Sequence, residues 1–248
     1  MNINKKLWIV LTCLVAATLA CQVIVGDAPG GGVRGSGKVA SEERPVSEIN
    51  KVTLAMDGEM TIQVGDEERL TVEAEDNLLP YIVTEVRNGR LLVRTQSGAN
   101  LDSSQAIRYH LTVKALEGLE ISSSGDITSE ALLAERFEIG VSSSGNLDLA
   151  ELNADSLKAD LSSSGNVDIG AGMVSDLDLD LSSSGNFNAE DLATSNANVT
   201  LSSSGDARIR VSDLLEARIN SSGNVYYHGD PELSVRTSSS GEAVPLGE

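Results

Sequence analysis

The chain has 248 residues, of which 40% are hydrophobic and only 3% aromatic, and its formal net charge is −19. This length allows one or two ordinary domains. So acidic a surface repels nucleic acids and anionic lipids, and we therefore expect no nucleic acid among the partners.

The first 21 residues have the pattern of an export signal. A pair of lysines precedes an apolar run at residues 7–15 that is short for a membrane span, and small residues follow it. The segment TLAC at 18–21 resembles a bacterial lipobox, in which the cysteine is acylated. We expect residues 1–21 to be a lipoprotein-like signal peptide with lipidation at Cys21. The alternative is simple cleavage after Ala20.

The lipidation hypothesis also predicts the location. A lipid on Cys21 would hold the protein in the bacterial cell envelope, at the outer membrane or the cell surface, and without the lipid the protein would be secreted. The only other cysteine is Cys13, so no disulfide can form beyond the signal.

Residues 22–45 are rich in glycine and poor in large apolar side chains, which is typical of a flexible tether. Within them, residues 32–38 match the first part of a phosphate-binding loop. The next residue is Val39, where such a loop needs Ser or Thr, and no strand is predicted before it. We therefore assign these glycines to the tether.

From Ile49 onward, apolar and polar residues alternate, as in half-buried strands. The segment NLLPY at 77–81 interrupts the alternation and predicts a turn or a single helical turn. Asn88-Gly89 between two alternating runs predicts a β-hairpin. Residues 54–60 match residues 121–127 in form, so an early, degenerate repeat is expected there.

A Ser/Gly cluster recurs through the rest of the chain at spacings of 18 to 20 residues, which predicts a solenoid of stacked coils. The clusters end at Gly125, Gly145, Gly165, Gly185, Gly205, Gly223 and Gly241. Apolar residues stand in register around them, and the second residue after each glycine is Ile127, Leu147, Val167, Phe187, Ala207, Val225 or Ala243. We predict that these columns point inward, in an all-β, parallel β-helix.

The clusters themselves are predicted to be corners between strands. Glycine suits a corner because it adopts positive φ without steric cost, and we expect that conformation here. An Asn or Asp follows six of the seven glycines, and both residue types bond nearby backbone groups in turns.

No catalytic, cofactor or metal site emerges from the pattern. Outward acidic columns, Asp148 with Asp168 and Asp160 with Asp180, could offer oxygen ligands to calcium, but the calcium β-roll motif is missing and a solvated acidic face is preferred. Histidine occurs only at positions 110 and 228. We expect Arg108 and His110 to share a solvated strand face.

Three features together resemble a known family: the repeats of the form LSSSGNVDI, the strip VGDEERLTVEA at 64–74 and the segment DNLLPYI at 76–82. The family is the putative auto-transporter adhesin, head GIN domain, and the resemblance covers about residues 46–241. It implies an exported bacterial protein, often a lipoprotein, with a right-handed β-helix. The domain is thus expected at 46–248, with strands and a hairpin before the coils. No catalytic residues come with the resemblance.

These observations favour a non-enzymatic cell-envelope protein that presents a β-helix surface as an adhesin or scaffold. The expected partner is a surface ligand, glycan or protein, and membrane contact is expected only through a lipid at Cys21. The alternative is a carbohydrate-active enzyme, because β-helices also include polysaccharide lyases and hydrolases. The oligomeric state stays open, although the acidic charge argues against open end-to-end stacking.

Overall fold

The computed structural model describes residues 32–182 and 184–247. Cys21 and the predicted signal peptide lie outside the described residues. Ten strands precede the regular repeats: β1 Val33–Arg34, β2 Val39–Arg44, β3 Lys51–Ala55, β4 Glu59–Val64, β5 Arg69–Glu75, β6 Ile82–Arg87, β7 Arg90–Thr95, β8 Leu101–Asp102, β9 Arg108–Val113 and β10 Gly118–Ile121. A 3-10 turn covers Leu79–Tyr81, where the interruption was predicted.

The repeats form the remaining strands: β11 Asp126–Val141, β12 Leu147–Leu161, β13 Val167–Ile169, β14 Gly172–Leu181, β15 Phe187–Leu201, β16 Ala207–Ile219, β17 Val225–His228, β18 Glu232–Thr237 and β19 Ala243–Gly247. They stack in parallel as a β-solenoid of about 6 turns, which confirms the predicted β-helix. No described helix is long and apolar enough to cross a membrane.

Each coil has three sides. The register between β11 and β12 runs over residues 127–129, 131–134 and 136–141, and it skips Glu130 and Glu135. The chain therefore bends at these two residues, and the Ser/Gly cluster makes the third bend. We call the three paired stretches, and their equivalents in other coils, the first, second and third sides.

The predicted apolar columns form the core. Along the first side, stacked coils align Ile127, Leu147, Val167, Phe187, Ala207 and Val225, all fully or almost fully buried. Burying one such large aliphatic side chain contributes about 1.5–3 kcal/mol. The columns continue into the last coil at Val235, Thr237 and Ala243, which are more exposed because no described coil follows them.

The cluster glycines do not adopt the predicted positive φ, so that prediction was wrong. They are buried, and no φ in the left-handed region occurs at any of them. Their role is close approach: a Cβ on Gly145 would overlap the carbonyl oxygen of Gly125 in the preceding coil. Glycine is needed here for space, not for conformational freedom.

The Asn or Asp after each glycine connects neighbouring coils. The backbone N–H and the side-chain amide of Asn146 donate to Asp126 Oδ1 at 2.8 and 2.9 Å, and those of Asn166 donate to Asn146 Oδ1 at 3.3 and 3.0 Å. The ladder continues at Asn186, Asp206, Asn224 and Glu242. Side chains thus satisfy backbone donors of the next coil, a longer-range contact than the local turn bonds that the sequence predicted.

The first coil is the degenerate repeat that the sequence predicted. Strand β3 pairs with β10 and β4 pairs with the start of β11, so Leu54 aligns with Ile121 and Met60 with Ile127. In place of a second side, this coil has the insertion 65–117. Its strands β7 and β9 pair with β3 and β4 and close this end of the core. Within the insertion, β6 and β7 form the predicted hairpin around Asn88-Gly89.

The expected flexible tether differs from the structure in its second half. The compact unit begins at Gly32, and residues 39–44 form β2, antiparallel to β5. The sequence pattern did not predict this strand because it lies at the edge of the sheet, where charged residues such as Glu42 and Glu43 face solvent. The few apolar residues here, Ala40 and Val46, pack against the core.

Candidate binding surface

The glycine-rich segment 32–38 encloses a carboxylate of the same chain. The N–H of Gly37 donates to Glu75 Oε1 at 2.6 Å, and the hydroxyl and N–H of Ser104 donate to the same carboxylate at 2.7 and 2.9 Å. A Cβ on Gly35 would overlap this carboxylate. The Ser104 hydroxyl above all, with these N–H groups, lowers the pKa of the buried Glu75 from 4.5 to about 2. The segment therefore holds Glu75 and has no room for a phosphate there.

The outward acidic column on the first side is short. Asp148, Asp168 and Asn188 lie on successive coils, as predicted, and the Asn188 amide donates to Asp168 Oδ1 at 3.0 Å. The next residue in the column is Arg208, whose Nε lies 3.4 Å from Glu190 Oε1. Burial, and then the charges of Asp168 and Asp126, raise the pKa of Asp148.

The calcium alternative gains no support from this column or from the third side. Asp160 and Asp180 are neighbours there, and Lys158 Nζ lies 3.2 Å from Asp160 Oδ2. Across residues 32–182 and 184–247, no group of three or more His, Cys, Asp or Glu side chains is placed to hold a metal ion. Carboxylates in adjacent coils are the consequence of the repeat.

The two histidine-containing segments face solvent. Arg108 and His110 are both exposed on β9, as predicted, and their carboxylate neighbours are Glu59 at 3.2 Å and Glu73 at 3.9 Å. In β17, Tyr227 is buried while Tyr226 lies under the guanidinium of Arg208, 4.9 Å from its ring centre. Neither segment places a serine hydroxyl against a histidine in the described hydrogen bonds.

The third side has a groove of about 760 Å³ that crosses five coils, with Leu214 and Glu216 on the last of them. We call it the ladder groove. Its floor is the strand backbone at Phe137, Leu157, Leu177 and Ala197, whose side chains point the other way and are buried in the core. Its two rims are outward columns, Arg136, Ser156, Asp176 and Asn196 on one side and Glu138, Lys158, Asp178 and Asn198 on the other. Strand spacing gives the groove a length of about 19 Å over these five coils and a width of about 7 Å between rims.

Side chains of the rims are held by bonds between coils. The amide of Asn196 donates to Asp176 Oδ1 at 3.0 Å, and the amide of Asn198 donates to Asp178 Oδ1 at 2.8 Å. Ordered donors and acceptors lose less conformational entropy when they bind a ligand. The rims thus present ordered hydrogen-bonding groups that suit a polar ligand.

Charges of both signs line the ladder groove, and its first coil carries Arg136 on one rim and Glu138 on the other. Arg136 and Lys158 lie on the first two of its coils, and Asp176 and Asp178 lie on the third. The hydrogen bond that Lys158 donates to the Asp160 carboxylate raises the pKa of the Lys158 ammonium. The hydrogen bond that Lys51 donates to Glu138 lowers the pKa of the Glu138 carboxyl. A ligand that lies along the groove would therefore meet cations and carboxylates on its first two coils and carboxylates on the third.

The sequence pattern did not predict the groove. The groove lies between outward columns of different coils, and these come together only once the register of the coils is fixed. The available signal was indirect: outward residues two positions apart line up from coil to coil once the register is known.

The chain is similar in sequence to one known protein family. The sequence profile of the family "Putative auto-transporter adhesin, head GIN domain" matches residues 48–231. The chain belongs to the head GIN family. This confirms the resemblance found in the sequence, and membership in an adhesin-like family indicates an extracellular or surface location. A comparison with curated proteins gives no match.

Solved structures share the head GIN fold at low sequence identity. A putative adhesin from Bacteroides fragilis is similar with a TM-score of 0.80 at 21% identity, covering 87% of this chain and 100% of its own. A putative lipid binding protein and a putative adhesin, both from Parabacteroides distasonis, give TM-scores of 0.72 and 0.68 at 24% and 23% identity. Each covers 87% of this chain and 100% of its own. At these identities the likeness establishes the fold alone.

Proposed function

We propose that this protein is a non-enzymatic adhesin of the bacterial cell envelope, anchored by a lipid on Cys21, that binds a surface polymer along the ladder groove. The observation on which the proposal depends is the pair of ordered polar rims on either side of a strip of strand backbone. The ligand is a glycan or an extended protein segment.

A polymer is the ligand that suits this geometry. The rims repeat the same side-chain positions at each coil, about 4.8 Å apart. A long ligand that lies across the strands can therefore make similar contacts on several coils, and many weak contacts add up to a usable affinity. The surface also stays in place, because each coil is fixed by ladder bonds and by close packing at the glycines.

The groove favours polar over stacking contacts. Its lining includes one aromatic residue, Phe137, and this side chain is buried in the core. Recognition would use the carboxylates of Asp176 and Asp178 and the amides of Asn196 and Asn198. These groups form hydrogen bonds with both hydroxyl and amide groups.

The enzyme alternative has no supporting observation. Asp148 and Asp168 could in principle flank a glycosidic bond, but they occupy the same position in adjacent coils and are explained by the repeat. A catalytic pair needs environments that separate the roles of acid and base. We therefore propose binding without turnover.

The direct test is to apply the purified protein to an array of glycans and matrix proteins. We expect retention on a limited set of extended polymers with no chemical change in them. A lack of binding to every polymer on the array, or release of shortened glycan, would contradict the proposal. Labelling of the exporting cells with a fatty-acid probe tests the anchor: the label should appear with Cys21 present and disappear in Cys21→Ser.

A further inference from the structure

Strand β18 is an open sheet edge with apolar residues on its core-facing side. Leu233 and Val235 continue the columns of Leu215 and Ala217, which are buried, yet they are 48% and 38% exposed. All six residues of β18 are exposed, and in the described chain the strand pairs only with β16. An edge of this kind is a template for pairing with another strand.

The direction of its free backbone groups can be derived from one hydrogen bond. The N–H of Ser238 donates back to the carbonyl of Ile219, in the preceding coil, at 3.0 Å. Because backbone groups alternate sides along a strand, Ser234 and Arg236 also point back toward β16. Leu233 and Val235 therefore direct their N–H and C=O groups away from the sheet.

The neighbouring edge at this end of the solenoid is blocked. Strand β19 contains Pro245, which has no N–H to donate, and its register with β17 shifts between Tyr227 and His228. Strand β18 has no proline, no lysine and no such shift. One edge is thus protected against pairing and the other is free for it.

The sequence of β18 is complementary to itself in the antiparallel sense. With Ser234 opposite Ser234 of a second copy, Leu233 faces the second copy's Val235, and both residues direct their backbone groups to the new strand. Four backbone hydrogen bonds follow. In the same register, Glu232 on the outward face stands opposite the second copy's Arg236, and this pair occurs twice.

We propose that the protein forms a two-fold symmetric dimer in which the β18 strands of two copies pair antiparallel about Ser234. The contact extends the third side across both solenoids and covers Leu233 and Val235. Charge selects the register, since other in-phase alignments do not bring Glu232 opposite Arg236. Because the contact is isologous, it consumes both free edges and the assembly stops at two.

Analytical ultracentrifugation of the purified protein tests this dimer, with Cys21→Ser in all samples so that no attached lipid causes association. We expect a concentration-dependent dimer. Glu232→Arg and Arg236→Glu should each weaken it at least tenfold, because each places like charges opposite one another. The double reversal should restore it. A dimer that is unaffected by the single reversals, or not restored by the double one, would overturn the proposal.

A second variant tests the backbone pairing. Val235→Pro removes an N–H that points away from β16, so the fold should survive while the dimer is lost. Circular dichroism checks the fold, and Glu135→Arg, an exposed acid at a bend, is the charge control and should sediment as the parent does. A dimer that persists in Val235→Pro, or a parent protein that stays monomeric at every concentration, would also overturn the proposal.

Discussion

A Cβ atom on Gly145 would overlap the carbonyl oxygen of Gly125, one coil earlier in the solenoid. The same relationship links Gly165 to Gly145, Gly185 to Gly165, Gly223 to Gly205 and Gly241 to Gly223. The Ser/Gly corners therefore form a column in which backbone packs directly on backbone, and this column fixes the spacing between coils.

Replacing Gly145 with alanine should destabilise the solenoid by about 1–3 kcal/mol or more, because the backbone must shift to admit the methyl group. The matched control is Gly140→Ala, in the same coil, where the nearest atom to a Cβ is Glu120 Cγ at 3.4 Å and can move aside. The control should change stability by less than about 0.5 kcal/mol. Urea unfolding followed by circular dichroism measures both, and equal effects would refute the packing explanation.

The asparagine ladder gives a second prediction. Asn166→Ala leaves the N–H and the side-chain amide of Asn186 without their acceptor and removes one of the two donors to Asn146 Oδ1. We expect a loss of about 1–3 kcal/mol. Asn153→Ala removes an amide that donates to the exposed Glu151 and should change stability little. The melting temperatures of the two variants test this prediction. Equal melting temperatures would show that the ladder bonds of Asn166 do not contribute to stability.

The clamp around Glu75 predicts a pH dependence. The folded pKa lies near 2, below the usual 4.5, so the carboxylate contributes stability that is complete above pH 4.5 and is lost as the pH falls toward 2. Glu75→Gln should therefore lower the urea midpoint at pH 7 and converge with the parent near pH 2. Glu67→Gln, at a largely exposed carboxylate, is the control. A constant difference from pH 7 to pH 2 would argue against this role of the charge.

Asp148 should behave in the opposite way. Its raised pKa means that ionisation is costly in the folded state, so the side chain reduces stability at neutral pH. Asp148→Asn should raise the melting temperature at pH 7, and the gain should fade as the pH falls through the raised folded pKa and be absent well below the usual Asp value of 3.8. Asp155→Asn, at an exposed bend residue, should leave the melting temperature unchanged. A destabilised Asp148→Asn would contradict the electrostatic cause.

Much of the fold was predictable because it depends on local repetition. The spacing of Leu147, Val167 and Phe187 identifies the buried column, and Asn88-Gly89 identifies the hairpin, without any knowledge of long-range contacts. The role of Gly145 was not predictable in the same way. Positive φ and close approach both select glycine, and only the position of the neighbouring coil distinguishes them.

The N-terminal edge and the candidate site depend on contacts that are distant in sequence. Strand β2 is mostly polar because it lies at an edge, so its composition resembles that of a linker. The clamp on Glu75 joins residues 37, 75 and 104, which no short motif connects. The ladder groove likewise joins residues of different coils, such as Asp178 and Asn198.

The most direct test of the binding proposal compares two matched pairs of ladder residues. In the ladder groove, the amide of Asn198 donates a hydrogen bond to the carboxylate of Asp178, and on the first side the amide of Asn188 donates the same kind of hydrogen bond to Asp168. Alanine at both members of each pair removes the same chemistry from the two surfaces. The measurement is the affinity of each double variant for the polymer that the parent retains most strongly on the array.

We expect the Asp178→Ala, Asn198→Ala variant to lose at least tenfold in affinity, and the Asp168→Ala, Asn188→Ala variant to bind as the parent does. Circular dichroism should be the same for all three proteins. Equal losses in the two variants, or a loss only in the first-side variant, would contradict a binding site in the ladder groove.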